Sequence, residues 1–205
     1  TLILPEKDGS FLEVGRHGYM FRSVNKNVMS MKIVNYTSAY PDSTGVPNME
    51  PTQPYAEDPV MWYSGGRYHM VVNWCDSRVA LHLMSDNGTT GWKNMGLAYD
   101  PRVPFIKHAD GTVNKWNKLE RPGIVMGEDG HVVAFTFAAM DVDKGQELGN
   151  DMHNSKIIVV PFDGAKFDRD FGVTVGVSKG AVSATPVRTQ AIRRRGDAFV
   201  VEYAG

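Results

Sequence analysis

Glu57 and Asp58 are adjacent carboxylates followed by Pro59, and Glu120 and Arg121 stand before Pro122 in the same way. Neighbouring carboxylates penalise a second negative charge, and partial removal from water disfavours the first. Both effects raise a carboxyl pKa and keep a proton available near neutrality. A group of that kind does general-acid work. One example is protonation of a glycosidic leaving oxygen, with a second carboxylate across the sugar to activate water or attack directly. Glu57 is the candidate catalytic acid on this reading, with Asp58 beside it as a candidate substrate-binding group. Glu120 and Arg121 join it in that role, Glu120 accepting sugar hydroxyls and Arg121 either clamping a hydroxyl or holding Glu57 in place. The alternatives are a capping aspartate and a solvated glutamate at a proline turn for the first pair, and an ion pair for the second.

Tryptophans offer the flat apolar faces on which sugars stack. Trp62, Trp74, Trp92 and Trp116 are available, and Trp74 is the candidate for ligand contact. Trp92 follows the turn at Asp86-Asn87-Gly88 and is assigned to packing. His69, His82 and His153 fall in strand or loop contexts, where a structural role is the commoner fate of a lone histidine. His82 and His153 are kept as candidate substrate contacts. No metal motif is present: there is no His-Glu-x-x-His and no cysteine pair. Asp141-Val142-Asp143-Lys144-Gly145 lacks the third acidic position and the distal Glu of a calcium loop. Asn35-Tyr36-Thr37 and Asn87-Gly88-Thr89 match the glycosylation acceptor pattern, which is common by chance.

The elements that must position these residues are repeated. Pro59, Pro122 and Pro186 are 63 and 64 residues apart, and each is trailed by a glycine before an apolar run: Gly66, Gly130 and Gly196. Each unit reads as strand, turn, strand. Strand signals dominate at Tyr68–Val72, Ala80–Met84, Val132–Phe137, Ile157–Val160 and Ala198–Tyr203. They are bounded by Asp8-Gly9, Gly65-Gly66, Asp86-Asn87-Gly88, Asp129-Gly130 and Asp163-Gly164. No amphipathic helix longer than about two turns stands out. Repeats of this length, built from several short strands, suit the blades of an all-β β-propeller. A sandwich has no reason to repeat at this interval. The blades are expected at about 1–47, 56–110, 119–180 and 184–205, about three and a half four-stranded antiparallel units in one partial propeller domain. Three and a fraction blades do not close a ring, so the missing blades or a second chain would complete it, and a fragment is the favoured reading. The inner strand of each blade runs along the central channel. The Glu-Asp-Pro and Glu-Arg-Pro segments open two such strands and are therefore expected at one hollow.

Bulk properties exclude other classes. A formal charge of -1 argues against nucleic-acid binding. The run Arg193-Arg194-Arg195 reads as a solvated turn. Cys75 stands alone in an apolar pattern, as a buried thiol. No apolar run approaches the roughly 20 residues needed to span a bilayer, and the N-terminus lacks the sections of a secretory signal.

Ala56-Glu57-Asp58-Pro59-Val60-Met61-Trp62 with Gly66-Arg67-Tyr68-His69-Met70 resembles a blade segment of five-bladed propeller glycoside hydrolases, nearest to glycoside hydrolase family 43 and its relatives. Ala80-Leu81-His82-Leu83-Met84-Ser85-Asp86-Asn87-Gly88 with Trp92, and Leu119-Glu120-Arg121-Pro122, are similar to further stretches of that group. The likeness spans about residues 1 to 165. It implies an inverting enzyme acting on oligosaccharides from plant or algal polysaccharides, with Glu57 at the position of the acid. Asp58 departs from the glycine usual in family 43 itself, and the base would lie on an N-terminal blade absent from this chain. The resemblance also favours a secreted or periplasmic location. It brings a calcium ion in the central channel as a common companion, though no ligand set here demands one and no cofactor is required. The competing reading is a non-catalytic carbohydrate-binding propeller. A protein-interaction propeller finds no support, since the Trp-Asp repeat ending is missing.

Overall fold

Side chains alternate in direction along each short apolar segment, and the glycine turns fold each strand back on its neighbour. In a computed structural model of the chain, describing residues 2–40, 56–74, 78–113, 115–148, 155–172, 189–195 and 198–203, the outcome is a series of antiparallel meanders. The first sheet holds β1 (Leu2–Pro5), β2 (Phe11–Val14), β3 (Met20–Ser23) and β4 (Met31–Asn35) in sequential order. The second holds β5 (Ala56–Ser64), β6 (Arg67–Trp74), β7 (Val79–Ser85) and β8 (Lys93–Tyr99), again in order. The third contains β9 (Lys118–Met126), β10 (Val132–Met140) and β11 (Ser155–Pro161). A helix α1 (Gly164–Phe171) follows, and β12 (Thr189–Arg195) pairs with β13 (Ala198–Tyr203) as a separate hairpin.

The opening strands of the three sheets are neighbours: β1 packs against β5, and β5 against β9. Successive meanders whose first strands line up side by side are the blades of an incomplete β-propeller.

The middle sheet explains why its sequence is apolar almost without interruption. Met61 on β5, Met70, Val72 and Trp74 on β6, and Leu81 and Leu83 on β7 face the first sheet, where they meet Leu12, Val14 and Met20. The alternate residues Val60, Trp62, Val71, Ala80 and Tyr99 face the third sheet and meet Leu119, Phe137 and Ala139. A sheet covered on both faces shows no polar alternation. Each fully buried large side chain contributes about 1.5–3 kcal/mol, so these two seams hold the blades together. On β11, by contrast, Ile158 and Val160 pack inward while Ile157 and Val159 remain exposed.

Two expectations need correction, and one strand, β8, went unread. Lys93–Tyr99 gave no strand signal, because an outer blade strand is exposed along nearly its whole length; only Tyr99 on β8 is buried. Arg193–Arg195 lie within β12 and pair with β13 rather than forming a turn. Asp163-Gly164 is not a simple turn but a helix start. The Asp163 carboxylate accepts the Lys166 N–H at 2.9 Å and caps α1. Gly164 lets the helix approach β10 closely, since a Cβ there would lie 2.2 Å from the Val132 carbonyl oxygen. Buried Asp168 then ties α1 to the sheets: it accepts from Ser64 Oγ at 2.7 Å and meets His131 Nδ1 at 2.5 Å. The third repeat segment at Pro186, its trailing Gly196, and Cys75 all lie outside the described residues.

Candidate functional site

Proline has no N–H to give a sheet ladder, so inside a strand it is tolerated only at an edge or a bulge. The strands that carry Pro59 and Pro122 use the same bulge. On β5 the register runs from Glu57 opposite Asn73 to Val60 opposite Val71, leaving Asp58 and Pro59 to face Val72 together. On β9 it runs from Glu120 opposite Ala138 to Gly123 opposite Thr136, so Arg121 and Pro122 share Phe137. Asp58 (φ 52°) and Arg121 (φ 50°) adopt left-handed backbone at these points. A residue preceding proline is normally driven to extended conformations, so each position stores strain of about 1–3 kcal/mol. Two equivalent strained bulges, each carrying charge, mark the same end of neighbouring blades.

The charged groups there are interlocked. Asp58 Oδ2 lies 4.0 Å from Arg121 Nε. Burial, reinforced by the adjacent Glu57 and by Glu120, raises the Asp58 carboxyl above its ordinary range, with Arg121 opposing. Glu57 Oε2 receives Arg16 Nη2 at 2.8 Å, and Lys118 Nζ sits 2.8 Å from Glu120 Oε1. A narrow cleft beside them is lined by Glu57, Asn73, Trp74, Arg78, Lys118 and Glu120, with Leu119. Arg78, itself left-handed at φ 58°, is braced by Asn117 Oδ1 at 2.7 Å and by Asp143 Oδ2 at 3.5 Å. Asp143 also accepts the Gly145 N–H. Among the described residues no group of three or more His, Cys, Asp and Glu side chains is placed to hold a metal ion.

The bulges bring Glu57, Asp58, Glu120 and Arg121 to one end of β5 and β9. The partner of Glu57 is Arg16 in the β2–β3 turn, not Arg121, whose guanidinium is turned toward Asp58. Sequence reading missed Arg16, Asn73 and Arg78, which come from turns and a middle strand without a motif of their own. One signal was available: Arg16 and Arg78 both follow the second strand of a blade. Trp74 borders the cleft but is 2% exposed and packs with the first sheet, so it offers no open face for stacking. His153 lies outside the described residues.

His82 stands apart from the carboxylates because it lies further along the sheet, on the same face: Ala80, not His82, is the β7 residue in line with Asn73 and Glu57. Its side chain points to the third sheet along with Ala80, and Nε2 meets Nδ1 of buried His69 at 3.1 Å. Trp62 stacks on His69 at 5.3 Å, and Phe167 and Phe171 of α1 cover His82 at 5.2 and 5.1 Å. This cluster borders an apolar cavity of about 280 Å³, lined mainly by aromatic and aliphatic side chains. Burial depresses both imidazoles to about 4, with His69 further opposing protonation of His82. The consequence for stability has a definite sign. Between the ordinary histidine value of about 6.5 and about 4, the unfolded chain binds protons that the folded chain refuses. Stability from this pair is therefore complete above about pH 6.5 and is lost progressively as the pH falls toward 4. The midpoint of thermal unfolding should drop between pH 7.5 and 4.5, and His82→Leu should show a smaller drop over the same step. An equal drop in both proteins would assign the acid sensitivity elsewhere.

Comparison with known proteins adds little to this geometry. No protein-family model matches the chain, and no curated protein does. Among solved structures, one described as an exo-1,5-alpha-L-arabinanase from a bovine ruminal metagenomic library is similar, at 13% identity and a TM-score of 0.42. The match covers 77% of this chain and 52% of that one, so the chain spans about half the length of that glycosidase.

Proposed function

We infer that this chain belongs to a carbohydrate-active propeller that hydrolyses glycosidic bonds by acid and base catalysis. The observation that carries the reading is the pair of equivalent strained bulges, which bring Glu57 and Glu120 from two blades to one cleft, with Asp58 on the bulge beside them. Glu57 acts as general acid, and Asp58 keeps the local field negative enough to hold a proton nearby. Glu120 and Arg121 bind substrate hydroxyls. The base belongs to another blade, across the sugar from Glu57, at the roughly 6.5–9.5 Å separation of inverting enzymes. Substrates are neutral oligosaccharides, since Lys118 and Arg78 offset Glu57 and Glu120 around the cleft.

The test is a panel of arabinosides, xylosides and galactosides, as oligosaccharides and as aryl glycosides, incubated with the full-length protein. Release of sugar with inverted anomeric configuration, followed by NMR, is the expected result. Absence of cleavage on every member rejects the hydrolase. A non-catalytic carbohydrate-binding propeller is the second reading, and the engagement of Glu57 by Arg16 favours it. Saturable binding without bond cleavage would select it.

A further inference from the structure

The end of the β1–β5 seam away from Glu57 is built by the turns that follow β1 and β5, and an open groove of about 410 Å³ lies there. Sites for small molecules run from about 300 to 1,000 Å³. The floor of the groove is locked. Glu6, whose side chain is 8% exposed, accepts the Tyr68 hydroxyl and pairs with Arg22. Burial, then the bond to Glu6, pushes the Tyr68 phenol up to about 12, so it stays a proton donor. A buried carboxylate that engages two partners fixes both side chains in advance, which lowers the ordering cost of binding. The rim is accessible. Tyr63 is 36% exposed and meets the Tyr68 ring at 4.8 Å between centroids. Lys7, Asp8 and Asp86, all exposed, line the same groove.

We propose that this groove is a second carbohydrate site, which takes one neutral sugar ring with its C–H face against Tyr63. Arg22 and Lys7 donate to its hydroxyls, and Asp8 and Asp86 accept from them. The ligand class rests on the carbohydrate reading above, but none of these residues belongs to the Glu57 cleft. Charge selects against ionic ligands: Glu6 is paired with Arg22 and Asp86 with Arg67, which leaves Asp8 set against Lys7. Lys7 Nζ stands 5.5 Å from the Tyr63 ring centroid. An exposed contact of that kind is weak, so Lys7 yields the ring face to a sugar and keeps its donors at the rim. Tyr63 comes six residues after Glu57 on β5, roughly 20 Å at about 3.3 Å per residue. One ring does not reach both places, so the groove anchors a polysaccharide away from the bond that is cut.

The experiment follows the ring signals of Tyr63 and Tyr68 in ¹³C-tyrosine-labelled full-length protein. The probes are arabino-, xylo- and galacto-oligosaccharides, methyl α-D-galacturonate and methylammonium. At least one neutral oligosaccharide should move both rings saturably, and the two ionic probes should not. Read through Tyr68, that binding should weaken about tenfold in Tyr63→Ala, the loss of one aromatic contact with its buried area, and stay near the wild-type value in Tyr63→Phe. Turnover of a small aryl glycoside should be the same in all three proteins. The wild-type titration decides the matter by itself even where Tyr63→Ala folds poorly. Tyr63 signals that stay put with every neutral saccharide, or that respond more strongly to the uronate or the ammonium, overturn the proposal. Saturable shifts at Tyr63 without hydrolysis of any substrate would refute the enzyme and leave this groove standing. Hydrolysis with Tyr63 unmoved would refute the groove alone.

Discussion

Replacing Glu57 with Gln is expected to lower turnover of an unactivated glycoside by about a thousandfold, within the range that general acid catalysis contributes, while changing KM less than threefold. The amide keeps an oxygen for Arg16 to donate to, so the local geometry survives and only the transferable proton is gone. Stability should hardly change, because the side chains of the Arg16–Glu57 pair are 54% and 31% exposed and such pairs contribute little. The diagnostic is the leaving group. A dinitrophenyl glycoside departs without protonation, so Glu57→Gln should retain most of its activity on that substrate. Undiminished turnover of natural oligosaccharides would remove Glu57 from the acid role. If Asp58→Asn reproduces the leaving-group pattern instead, the acid is Asp58, whose carboxyl is the one raised by burial.

Trp74→Ala should cost about 3–5 kcal/mol of folding free energy, the usual penalty for deleting a buried tryptophan. For a chain of 205 residues that corresponds to a fall in Tm of about 10 °C. The ring sits in the seam between the first two blades with Met61, Met70, Leu12 and Val14, and the cavity left behind would have nothing to collapse onto but other strands. Trp74→Phe should recover much of the loss. Thermal unfolding and substrate kinetics together decide the point. Weakened sugar binding with unchanged Tm would restore Trp74 as a ligand platform, whereas a lower Tm with KM unchanged assigns it to the core.

The contrast between these two residues illustrates how far the sequence could be read. Glu57 and Trp74 were selected on chemical type, and β5 and β6 do bring them to the same cleft. What separates them is which face of a doubly covered sheet each side chain takes. In β6 every residue from His69 to Trp74 is buried, so alternation between apolar and polar, the usual marker of facing, is absent. His82 was misplaced for another reason: it shares the face of Glu57 and Asn73 but lies further along the sheet, beside Trp62 and His69 in the aromatic cluster under α1.

Other features were legible because they are local. A proline within an apolar run and a glycine a few residues later mark a strand and a turn, and their recurrence at an interval of 63 residues made the blade repeat visible; the bulge at each proline was not read from the sequence. From that repeat alone, charged residues opening successive inner strands are expected to meet near a shared axis. Only the tertiary structure decided which cation pairs with which carboxylate. Arg16 reaches Glu57 across 41 positions and Arg78 reaches Asn117 across 39, contacts set by how one blade's turn overhangs the next. Hydrogen bonds of that kind depend on the rotation between sheets. That rotation is set by the packing of Leu12, Met61, Trp62 and their neighbours, and no short stretch of residues encodes it.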